Sequence, residues 1–80
     1  MKIPVIKKLV EEVALEDLKA AEEALMEEQK PAIEIQGDDE GEQLTHVFAA
    51  IFILEKMGNN GVDFKTALRE YTQKVRTSIS

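Results

Sequence analysis

The sequence predicts an all-α protein: a small bundle of about four helices with an extended connector over residues 31–39. Apolar residues recur at helical spacing in residues 5–13 and again in residues 64–79. Residues 15–29 are rich in Ala, Leu, Glu and Lys, which favour helix intrinsically. Residues 44–54 are apolar on nearly every side that a helix can present. Only residues 32–36 alternate as a strand would.

The first helix starts at Pro4, whose missing N–H costs nothing in a first turn. Val5, Ile6, Leu9, Val10 and Val13 form its stripe, with Lys7, Lys8, Glu11 and Glu12 on the other side. A stripe through Ile6, Val10, Ala14, Leu18, Ala21 and Leu25 also fits one unbroken rod over residues 4–29. The β-branched Val13 and the acids Glu16 and Asp17, which suit a first turn, favour a break near Ala14. We expect a short helix, a kink, and a longer helix that runs to Gln29. Pro31 then stops it, because the residue before a proline is driven out of the α region.

Ala32-Ile33-Glu34-Ile35-Gln36 places both isoleucines on one side, and Gly37 closes the segment. A lone strand needs a partner, so we expect an extended connector lying on the helices. Pairing with residues 2–5, or with the same segment of a second subunit, remains open. Asp38-Asp39-Glu40 caps the next helix, which should span residues 40–57 and end on Gly58-Asn59-Asn60-Gly61, with Gly58 as the left-handed cap. Asp63 caps the last helix, with Val62 and Ala67 closing its start as an apolar staple. The stripe of this helix is Phe64, Ala67, Leu68, Tyr71 and Val75, with Ile79 at the end. Lys65, Arg69, Lys74 and Arg76 face outward.

Eighty residues make one domain, residues 1–80. A chain of this size has a marginal core unless something supplements it. With no cysteine, neither a disulfide nor a Cys/His zinc site is available. Lys7 and Lys8 interrupt the apolar content of the N-terminus, and no signal-peptide core follows. The 11 residues of the 44–54 run fall short of the roughly 20 that span a bilayer. A soluble, cytoplasmic protein is expected. The net charge of −6 is strongly segregated: thirteen acids lie in residues 11–42 against Lys19 and Lys30, and both ends of the chain are basic. A field of that sign repels phosphate backbones and disfavours nucleic acid as a partner.

The helix containing residues 44–54 sends side chains of Val47, Phe48, Ile51, Phe52, Ile53 and Leu54 in several directions. Neighbouring helices can cover three of its sides, and the fourth would expose more apolar area than soluble monomers usually show. Burying one Phe or Ile is worth about 1.5–3 kcal/mol, so a few of these residues across a dyad could hold a homodimer. These six residues are the expected self-association surface. Ala49 and Ala50 are small enough to admit another helix.

His46 is the only histidine. Glu42 lies one turn before it, and an i, i+4 pair of this kind can present two metal ligands from one helix face. Its spacing is one residue longer than the Glu-x-x-His of ferritin-like di-iron helices, and a His bonded within the core is the preferred reading. The acids of residues 38–42 lack the twelve-residue spacing of a calcium loop. Glu22-Glu23 and Glu27-Glu28 read as solvated charge. Thr77, Ser78 and Ser80 have no base nearby in sequence, and Gly58-Asn59-Asn60-Gly61 lacks the Lys-Ser/Thr of a phosphate loop. An enzyme is not expected, and no cofactor is called for.

The opening Met-Lys-Ile-Pro-Val-Ile-Lys-Lys-Leu, the helix start Gly41-Glu42-Gln43-Leu44, the run Lys65-Thr66-Ala67-Leu68-Arg69-Glu70-Tyr71, Val75 and Ser78-Ile79 carry a resemblance. They are similar to a family of small uncharacterised bacterial proteins of about this length. The resemblance implies a helical bacterial protein and transfers no function. No motif in the sequence states what the protein does. The expectation from its surfaces is a homodimeric interaction or adaptor module, with the acidic surface of residues 11–42 as a docking face for a protein partner. The alternative is a metal- or small-ligand-binding protein using Glu42, His46 and nearby carboxylates.

Overall fold

A computed structural model describes residues 2–79, with side chains described to residue 76. It has four helices: α1 (Ile3–Glu12), α2 (Leu15–Met26), α3 (Glu40–Asn60) and α4 (Phe64–Ile79). Among the described residues there is no strand.

The break between α1 and α2 falls where the acids and Val13 suggest. Val13 and Ala14 are both extended, at φ −117°, ψ 133° and φ −70°, ψ 150°. The kink has a packing cause. Ile6 packs on the side of α3 that carries Ala49 and Ile53, while Leu9, Leu18, Ala21 and Leu25 cover the side of Val47, Ala50 and Ile51, and a straight rod could not wrap both. Helix α2 ends at Met26, three residues before the expected Gln29. The Gln29 N–H bonds to the Ala24 carbonyl at 2.7 Å and the Glu28 N–H to Leu25 at 3.1 Å. This paired closure is a Schellman cap, with Glu28 in the left-handed region at φ 59°. The cap, not Pro31, stops the helix.

Residues 32–36 form an unpaired connector. It buries Ile35 and half-buries Ile33 against α1, α2 and α3. Gly37 brings the connector onto the start of α3. A Cβ built there would stand 2.8 Å from both Cγ and the backbone nitrogen of Gln43, too close for any side chain. Gly37→Ala is therefore expected to lower stability by about 1–3 kcal/mol through overpacking. Gly58→Ala, which meets nothing within 4 Å, should instead gain about 0.5–1 kcal/mol inside a helix. Thermal unfolding of the two variants measures the contrast.

Asp39 caps α3, its Oδ1 accepting the Glu42 N–H at 2.7 Å. The helix runs one turn past the expected end at Met57. Gly58 stays helical, and Gly61 forms the left-handed cap at φ 67°, its N–H bonded to the Met57 carbonyl at 3.1 Å. Asp63 caps α4 as expected, accepting the Thr66 N–H at 2.8 Å. Its hydrogen bonds with Thr66 hold its carboxyl below the usual aspartate range.

Helix α3 is the hub. Helices α1, α2 and α4 each pack on it and scarcely touch one another. The molecule measures 31 × 30 × 19 Å, so its short dimension admits no more than two layers of helices about 10 Å across. By helical phase, the residues of α3 that meet α2 and those that meet α4 lie on roughly opposite sides, and α1 packs between them.

Candidate functional site

Successive residues of a helix turn by 100°, and the two core clusters show what each side of α3 meets. Val47, Ala50 and Ile51 pack with Leu18, Ala21 and Leu25 of α2, together with Leu9 of α1. Ala49 and Ile53 pack with Ile6 of α1 and Ala67 of α4. Three sides are thus covered. The fourth, opposite α1, carries Gly41, Leu44, Phe48, Glu55 and Asn59 along five turns, and no helix lies over it.

This open face is where the central helix remains apolar in the sight of water. Phe48 is 39% exposed, and Leu44 and Phe52 are half-buried. The Phe52 and Tyr71 ring centroids lie 5.4 Å apart, and burial pushes the Tyr71 phenol above the ordinary tyrosine range. Because α3 and α4 run antiparallel, one turn before Phe52 and one turn after Tyr71 bring Phe48 and Val75 to the same side. Val75 is 38% exposed. On the opposite rim Met26 of α2, 62% exposed, borders a shallow depression with Ile51 and Glu55 of α3.

The six residues expected to form an association surface are therefore divided. Val47 and Ile53 are fully enclosed by their own chain, Ile51 nearly so, and Phe52 and Leu54 are half-buried. Phe48 alone of the six is exposed. Helical phase explains the split, since Val47 and Leu54 turn toward α2 and Ile53 toward α1 and α4. Met26, Leu44 and Val75 take the places of the enclosed residues. Val75 was legible as part of an apolar stripe, but nothing in the sequence said that the stripe outruns its cover.

The rims differ in charge. Glu22 and Glu23 of α2 and Glu27 at its C-cap line the depression with Lys19 and Glu55, and Lys19 and Glu55 pair at 3.8 Å. On the other rim the ammonium groups of Lys56 and Lys74 lie 5.8 and 5.4 Å from the centre of the Phe52 ring. That distance allows cation–π attraction. Glu70 pairs with Lys56 at 3.8 Å.

His46 and Glu42, the candidate ligand pair, serve separate bonds. His46 is fully buried. Its Nδ1 lies 2.7 Å from the Gln36 carbonyl, and its Nε2 lies 3.0 Å from the Lys2 backbone nitrogen. A carbonyl can only accept and a backbone N–H can only donate, so the ring is neutral, with its proton on Nδ1. Glu42 turns the other way, its Oε1 accepting the Asp38 N–H at 3.1 Å. His46 thus ties the start of α1 and the end of the connector to α3. Among the described residues no group of three or more His, Cys, Asp and Glu gathers as metal ligands would.

A family model matches residues 1–80, the full length of the chain. The chain belongs to DUF6952, a family of unknown function. This agrees with the resemblance carried by the two ends of the sequence and by the start of α3. No curated protein and no solved structure matches the chain. Membership in DUF6952 brings no activity with it, so the functional reading rests on the surfaces. No helix among the described residues is long and apolar enough to cross a membrane.

Proposed function

We propose that this DUF6952 protein is a small interaction module of the bacterial cytoplasm. It works as a homodimer, and its acidic surface over residues 11–42 docks a basic protein partner. The observation that supports dimerisation is the uncovered side of α3, where Phe48, Val75, Leu44 and Met26 gather on one broad face. A chain of 80 residues without disulfides also gains from association what its small core lacks.

Light scattering on a sizing column tests the proposal. The wild type is expected at twice 9.0 kDa, and Phe48→Glu at the monomer mass with unchanged helical circular dichroism. A wild type that runs as a 9.0 kDa monomer at high micromolar concentration refutes it.

A further inference from the structure

The connector alternates in the structure as it does in the sequence. Ile35 is buried and Ile33 half-buried, while Ala32, Glu34 and Gln36 face water. Exposure with a period of two is that of a strand, yet nothing pairs with this one. Among the described residues the backbone of residues 32–37 makes one hydrogen bond, the Gln36 carbonyl accepting from the His46 ring at 2.7 Å. Its other N–H and carbonyl groups have no protein partner among those residues. A row of open backbone groups is a template for an added strand.

The same segment stands between two hollows. Ile33 and Glu34 line both, one beside α1 and one beside the start of α3. The hollow beside α1 is lined by Val5, Leu9, Val13 and Ile33 and holds about 260 Å³. That is below the roughly 300–1,000 Å³ of sites that enclose a small molecule, and it suits single side chains instead. Strand addition uses both features: main-chain bonds supply affinity, and pockets for alternate side chains supply selectivity.

We infer that the basic partner docks by strand addition. An extended segment of alternating basic and apolar residues lies along residues 32–36, with apolar side chains in the hollow beside α1. This rests on the acidic docking face proposed above and adds its address and its mode.

Charge selects this occupant over a second copy of the connector. Lys8 and Glu12 line the hollow one helical turn apart on α1, where opposite charges offset each other. Glu34 is exposed and in no ion pair among the described residues. From residue 31 to residue 55 the chain has no Lys or Arg. Two connectors paired with each other would crowd Glu34, Asp39 and Glu40 against the same acids, with only Asp38 offset, by Lys2 at 3.7 Å. Like charges facing across strands are destabilising. A basic segment meets those acids with the opposite sign. The open side of α3 lies away from α1, so dimerisation leaves the hollow free.

Fluorescence anisotropy of labelled peptides with the full-length protein tests the mode. The probe is a short peptide of alternating lysine and valine, made also with N-methyl groups on every second residue, so that one edge or the other lacks donors. Methylation of one edge should weaken binding roughly tenfold or more, the scale of two lost hydrogen bonds, and methylation of the other should leave it unchanged. Equal binding of the two methylated forms overturns the inference. So does equal binding when threonine replaces every lysine, because the partner is then not basic. Tighter binding by a peptide of residues 31–37 of this chain gives the hollow to a second copy, and also overturns it.

A helical basic peptide of the same charge separates this inference from the reading beneath it. If it binds better than the alternating peptide, strand addition fails and the acidic docking face stands. If no basic peptide binds, the docking face fails as well. Two charge reversals test the address. Glu34→Lys should weaken the alternating peptide roughly threefold to tenfold, the scale of one or two exposed charge pairs. Glu23→Lys, exposed on α2 and outside the hollow, should change it little. Equal weakening by both, in chains with unchanged thermal unfolding, would spread the contact over the acidic surface and overturn the address.

Discussion

His46→Ala is expected to lower the stability of the folded chain by about 2–5 kcal/mol, since it removes two hydrogen bonds and opens a cavity in the same step. The Lys2 N–H and the Gln36 carbonyl would lose their partners; both bonds are only part-buried, so water offsets part of the roughly 1–3 kcal/mol that an unpaired buried group costs. Small domains hold roughly 5–15 kcal/mol in total, so this variant should unfold at much lower urea concentration. Two further substitutions separate packing from bonding. His46→Phe refills the space without replacing either bond and should recover little. His46→Gln offers one donor and one acceptor and should recover part of the loss. A His46→Phe chain as stable as wild type would show that the ring only fills space. The same measurement addresses the ligand reading, under which His46→Ala would leave the metal-free protein as stable as before.

Ile53→Ala should cost a similar 2–5 kcal/mol, while Phe48→Ala five residues earlier should cost the monomer much less. Ile53 is fully enclosed between Ile6, Ala49 and Ala67, and truncating it leaves a hole at the meeting point of α1, α3 and α4. Phe48 keeps a large part of its ring in water, so its loss falls on whatever covers the open face. Urea unfolding at low protein concentration isolates the monomer term, and its dependence on protein concentration isolates association. Equal losses for the two substitutions at low concentration would mean that the open face is not open. A larger loss for Phe48→Ala that appears only as concentration rises places that residue at a contact between copies.

Much of this architecture is written in local chemistry. Asp39 and Asp63 are capping residues that need only their own following turns, and both bonds form. The break at Val13 and Ala14 was legible in the β-branched Val13 and in the acids Glu16 and Asp17, although the apolar stripe runs on and no Gly, Pro or Ser marks it. The ends of α2 and α3 were less legible. Glu28 occupies a left-handed position that glycine usually takes, and Gly58 remains helical because Gly61 supplies the same conformation one turn later. Neither choice shows in a propensity. The candidate site was half legible: excess apolar area on α3 was plain from composition, but its address was not.

Periodicity and turn chemistry thus determined by themselves that the chain is four helices around an apolar rod, because each element's pattern acts within a few residues. Which residues of the rod meet water was decided only when α1, α2 and α4 took their sides. Val47 and Phe48 are neighbours of similar hydrophobicity, yet one is sealed and the other exposed. His46 shows the same division: its side chain could have been a ligand or a core residue until the fold brought Lys2 and Gln36 to its two nitrogens. Burial and pairing of this kind depend on segments dozens of residues apart, and their distances exist only in the assembled fold.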